Sequence, residues 1–174
     1  MATNLDLSKL SLMDALDLAT LIEEEALKRY TLFAQQLGAT SGGKDAGTFF
    51  AKMAENEAKH GTEIHARRLE LFGKTPTRMS LHDLFDVEAP DVGAARAGMS
   101  TLEAFELAMT SEQKAFDFFD SALASITDAD VIELFTELRD EEAEHLAMLK
   151  EEVAKLPSSA GVATEYDEED APYL

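Results

Sequence analysis

From Ser11 to Leu156, apolar residues recur at alternating steps of three and four, and nowhere is the two-residue alternation of a strand sustained. That period belongs to α-helices with one buried face, so the chain is predicted to be all-α. Four long helices follow. The first runs from Leu12 to Leu37, with Ser11 placed to cap it and Gly38 to end it. The second runs from Asp45 to Phe72 and stops at Gly73, with Pro76 just beyond. The third starts at Ser100, whose spacing to Glu103 is that of a capping box, and continues to about Ile126. The fourth starts near Thr127, with Asp130 three residues on, and ends before Pro157. At 1.5 Å rise per residue, helices of this length each span roughly 40 Å.

The links between them set the topology. Residues Ala39 to Lys44, and little more than Thr127, are short connections that make antiparallel hairpins. The middle connection, Lys74 to Met99, is long enough to cross a bundle and join helices that lie parallel, with a short helical turn expected around Leu81 to Phe85. Residues 1–157 are therefore expected to form one four-helix bundle. Residues 158–174 carry five acids and no base, and are expected to be a flexible acidic tail.

Each inward stripe is broken by an acid near mid-height. The first helix reads Leu16, Ala19, Glu23, Ala26, Tyr30, Phe33, and the third reads Phe105, Ala108, Glu112, Ala115, Phe119, Ala122. The second reads Phe50, Met53, Glu57, His60, Ile64, Arg67, and the fourth reads Phe135, Leu138, Glu142, His145, Leu149, Glu152. Residues three apart on a helix share a face, so Glu57 with His60, and Glu142 with His145, point into one space. The pattern also repeats: Glu23 maps on Glu112 and Tyr30 on Phe119 at a shift of 89, and Glu57/His60 map on Glu142/His145 at a shift of 85. Two related hairpins would place two similar half-sites about a pseudo-twofold axis. Four inward carboxylates without partners would cost several kcal/mol each, and divalent cations offset that cost economically.

Other candidates are weaker. Glu24 and Glu25 lie off the stripe and are expected at the surface. His65 and His82 have no acid at helical spacing and read as surface or packing residues. Tyr30 is either plain core or a hydrogen-bond partner for a metal-ligating carboxylate. Arg67 and Glu152 hold equivalent positions, where they either pair across the interior or mark where the bundle opens to solvent.

Composition narrows the function. With 35 acids against 15 bases the formal charge is −20, which argues against nucleic-acid binding. The absence of cysteine removes disulfides, thiolate metal sites and iron–sulfur centres within the chain. No apolar run approaches the ~20 residues of a membrane span and no signal pattern stands at the start, so a cytoplasmic protein is expected.

One glutamate from each of two helices, with Glu-x-x-His from each of the other two, resembles the ferritin-like di-iron carboxylate pattern. The stretch Glu23 to Ala34 and the segments around Glu57-Ala-Lys-His60 and Glu142-Ala-Glu-His145 resemble rubrerythrins, over about Leu12 to Leu156. The resemblance implies a ferritin-like bundle holding two iron ions, with manganese or zinc as substitutes. Glu57 and Glu142 would bridge the metals, Glu23 and Glu112 would be terminal carboxylates, and His60 and His145 would each bind one metal. Three features depart from the family. Ala115 stands where rubrerythrins usually carry an added carboxylate, Phe119 stands where the repeat predicts a tyrosine, and these residues include no cysteine, whereas rubrerythrins commonly carry a cysteine-rich electron-donating domain. The expected activity is a di-iron oxidoreductase that reduces peroxide or dioxygen, with electrons from a separate protein and a homodimeric assembly implied by resemblance. Ferrous-iron oxidation with storage is one alternative, and a non-catalytic, metal-stabilised interaction module is another.

Overall fold

A computed structural model describes residues 11–38, 44–80 and 99–161. They form α1 (Leu12–Gly38), α2 (Lys44–Phe72), α3 (Thr101–Leu123), α4 (Ala129–Lys155) and a 3₁₀ turn (Ser158–Gly161), with no strand among the described residues. The all-α, ferritin-like four-helix bundle is thus observed. The turn expected around Leu81 to Phe85, His82, and residues 162–174 of the expected tail lie outside the described residues. Residues 158–161 lie in the 3₁₀ turn, which packs beside α3.

The predicted caps hold α1 to α3. Ser11 Oγ accepts from the Asp14 amide at 3.2 Å, and Asp14 Oδ2 returns a bond from the Ser11 hydroxyl. Gly73 ends α2 with φ of +57°, a left-handed conformation that favours glycine, and its N–H reaches Leu69 O at 2.8 Å. Ser100 and Glu103 form the full reciprocal capping box of α3.

The second hairpin link differs from expectation. Helix α3 stops at Leu123, and α4 begins at Ala129, capped by Asp128 rather than Thr127. At the α3 end, both the Ser125 amide and its hydroxyl turn back to Ala122 O, which closes the helix early. Asp128 Oδ1 then accepts from the Asp130 and Val131 amides at 3.2 and 3.1 Å. Asp128→Ala is expected to cost about 1 kcal/mol, a fall in Tm of roughly 2–4 °C for a chain of this size. Thr127→Ala should leave Tm unchanged, and thermal melts of the two variants check the assignment.

Two hydrophobic clusters fill the bundle, one toward each end. One gathers Leu16, Ile22, Ile64, Phe118, Phe119 and Phe135; the other gathers Tyr30, Phe33, Phe50, Met53, Phe105 and Leu149. Rings meet edge-on in both, Phe119 with Phe135 at 5.2 Å and Phe33 with Phe50 at 5.1 Å. Because Phe50 precedes Ile64 and Phe105 precedes Phe118, α2 and α3 run the same way, so the end of α2 and the start of α3 lie at opposite ends of the bundle. Helices α1 and α2 pack backbone to backbone where Gly47 faces Gly38: a Cβ on Gly47 would fall 2.7 Å from the Gly38 backbone. With each cluster complete in itself, the layer between them is free to be polar.

Two charged positions differ from the stripe pattern. Arg67 and Glu152 do not pair with each other: Arg67 binds Glu70 and Asp130, and Glu152 binds Lys155 at 2.6 Å. The buried arginine is its neighbour Arg68, whose Nε donates to Asp17 Oδ1 at 2.7 Å while its guanidinium also holds Gly73 O and Thr75 O. Glu25 is buried rather than superficial, paired with Lys28 at 2.6 Å, because α1 buries a wider arc than a single stripe.

Candidate metal centre

The polar layer is made of the six residues that interrupt the stripes. Glu23 comes from α1, Glu57 and His60 from α2, Glu112 from α3, and Glu142 and His145 from α4. None is more than 3% exposed. Helical spacing stacks each Glu-x-x-His pair on one face, and the two hairpins bring those faces together.

Glu57 stands at the centre. Its Oε2 lies 3.5 Å from His60 Nδ1, and its Oε1 lies 3.4 Å from His145 Nδ1. His60 Nδ1 is also 3.5 Å from Glu23 Oε2, while His145 Nδ1 is 3.0 Å from Glu112 Oε2 and 3.4 Å from Glu142 Oε2. The imidazole rings lie 5.9 Å apart and 19° from parallel. Two groups of donor atoms result, Glu23/Glu57/His60 and Glu57/Glu112/His145, each with its atoms within 4.8 Å of one another and with Glu57 in common. Glu142 borders the second group and faces Glu112, Glu57 and Glu23, whose negative charges all act on it.

The protonation of the cluster follows from burial. Burial raises Glu23 and Glu142 well above the usual carboxylate range, reinforced by the Glu57 charge on the first and the Glu112 charge on the second. For Glu57 burial again pushes upward, but its close approach to His60 and Glu23 and the charges of both imidazoles outweigh it and lower its pKa. Burial opposes the charged form of His60, yet Glu23 and Glu57 overcome that and raise it to about 10. His145 is raised too, against burial, chiefly by its contact with Glu112. Glu57 is therefore an ionised hub, while Glu23, Glu142, His60 and His145 are pushed toward their protonated forms.

The hydrogen-bond accounting is incomplete without cations. Both oxygens of Glu23, both of Glu57, Nδ1 of His60 and Oε2 of Glu142 are buried with no hydrogen-bond partner among the described residues. At about 1–3 kcal/mol each, and more for charged groups, six such atoms rival the roughly 5–15 kcal/mol that stabilises a whole domain. Carboxylate and imidazole donors in this number suit divalent iron or manganese. The donor set fits two metal ions.

Tyr30 packs against Phe50 with ring centroids 5.7 Å apart, and its buried hydroxyl has no partner among the described residues. Ala115 and Phe119 are both buried core. Outside the layer, a groove of about 440 Å³ between α1 and α2 reaches Glu23 and Glu57, with Thr20, Glu24, Thr62 and His65 along it. His65 is exposed there, and it is not among the residues gathered at the centre. One contact was not legible from spacing: Glu141 Oε2 lies 2.8 Å from His60 Nε2. The two residues sit on different hairpins, so no periodicity within one helix links them.

Comparison with known proteins agrees with this geometry. The sequence model described as Rubrerythrin matches residues 14–153. An uncharacterized conserved protein from Magnetospirillum magnetotacticum MS-1, of known crystal structure, superposes with a TM-score of 0.70 at 28% identity, covering 85% of this chain and 97% of its own. No curated protein matches the chain.

Proposed function

Because the chain belongs to the rubrerythrin family, we propose that it is a di-iron oxidoreductase that reduces peroxide or dioxygen. The observation that carries this is Glu57, whose two oxygens face the two imidazoles within a layer of unpartnered buried carboxylates. Glu23, Glu57 and His60 would hold one metal ion, and Glu57, Glu112 and His145 the other, with Glu142 completing the set. Two iron ions bound there would supply the two electrons that reduce peroxide to water, and a separate donor protein would restore them.

The chain's own residues do the rest. The hydrophobic clusters above and below the layer close it along the bundle axis, so a small reactant comes from the side, along the groove between α1 and α2. The groove is bordered by threonines and Glu24, which suits a small polar molecule better than an apolar substrate. A homodimer in the cytoplasm is part of the same proposal.

The test is to load metal-free protein anaerobically with ferrous ion, then mix it with peroxide or with dioxygen. Rapid oxidation of the ferrous form, seen as growth of ferric absorption, with one peroxide consumed for two irons, is the expected result. A loaded centre that ignores both oxidants would leave only the metal-stabilised module.

A further inference from the structure

The two half-sites are not alike, and the difference lies in what backs each histidine. His60 presents Nδ1 to Glu23 and Glu57, and its opposite nitrogen, Nε2, lies 2.8 Å from Glu141 Oε2. His145 presents Nδ1 to Glu57, Glu112 and Glu142, and among the described residues no other carboxylate lies against it. The internal repeat shows where symmetry was broken. At the shift of 85 that maps Glu57 on Glu142, Glu141 maps on Asn56, an uncharged amide. Thus one histidine has an anion at its distal nitrogen, and the matching position for the other carries none.

A carboxylate on the distal N–H of a metal-binding imidazole fixes its tautomer and ring orientation and makes the ligating nitrogen more basic. We propose that Glu141 is a positioning residue for His60, and that it makes the two metal positions unequal, so that the His60 position fills first. This rests on the proposed metal centre. The Glu141 side chain is 40% exposed, so its truncation leaves no hole in the core. Among the described residues it is also the only member of the arrangement outside the six inward residues, and it reaches His60 from the opposite hairpin.

The test uses cobalt(II) alone, titrated anaerobically into the metal-free full chain and followed by calorimetry. Proton NMR of the loaded form then reads the shifted N–H of each metal-bound histidine. Wild type should bind in two distinct steps. Glu141→Ala should weaken the tighter step about 10- to 100-fold, leave the other within error, and speed solvent exchange of one histidine N–H only. Glu141→Gln, which keeps an acceptor oxygen without the charge, should fall between the two. Equal weakening of both steps would show that Glu141 merely holds the hairpins together, and unchanged steps would show that it does nothing at the centre; either overturns the proposal. Wild type that fails to bind two ions would instead overturn the metal centre itself, a separate failure seen before any variant is made.

Discussion

Replacing Glu57 with alanine is expected to abolish loading of the paired metal centre while leaving a folded helical bundle. Glu57 is the one residue common to both donor groups, its two oxygens facing the two histidines. Losing a group outside the ligand set typically costs 10–100-fold in metal affinity, so losing a ligand shared by two metals should cost more than about 100-fold at each. The fold should survive because the two hydrophobic clusters pack independently of the polar layer. Circular dichroism should show wild-type helix content, and metal analysis after gel filtration should show an empty centre. Glu133→Ala, an exposed acid on α4, is the control and should load normally. Full occupancy in the Glu57 variant would refute the ligand assignment.

Raising the pH is expected to destabilise the metal-free protein and to strengthen metal binding. His60 moves from an ordinary 6.5 to about 10 in the folded chain, so its contribution is complete below 6.5 and is lost as pH climbs through 10. His145, also raised, acts with the same sign. Glu23 and Glu142 keep protons when folded that they would release when unfolded, so they too lower stability as pH rises above the ordinary carboxylate value. Glu57 is lowered and acts oppositely, but its contribution is lost only in acid. Metal ions need deprotonated ligands, so they displace these protons, and binding tightens with pH. Thermal melts from about pH 6 to about pH 9, with chelator and with manganese, should show a falling Tm without metal and a widening gap with it. A gap that narrows toward alkaline pH would contradict this protonation pattern.

Much of this centre was legible in the sequence because burial and helical period act together. A residue at the right phase of a long amphipathic helix has little choice about where it points, and Glu23, Glu57, His60, Glu112, Glu142 and His145 all point into one layer. Capping was legible for the same local reason, since Ser100 with Glu103 needs only the next three residues. What escaped was set by contacts between helices. Arg68 rather than Arg67 is buried because Asp17 lies on the facing helix to receive it. Glu25 is covered because α1 is buried around a broad arc. Glu141 meets His60 across the two hairpins, and neither helix records the other's register. The early end of α3 comes at Ser125, whose amide and hydroxyl both bond back to Ala122 O.

The family relation establishes the kind of protein; the chemistry depends on metal. The most direct measurement is the iron retained per chain after aerobic titration of metal-free protein with ferrous ion. A plateau near two is predicted, as the two donor groups about Glu57 require. Retention that climbs far beyond two without a plateau would mean iron storage instead of redox turnover, and retention well below one would contradict the metal centre altogether.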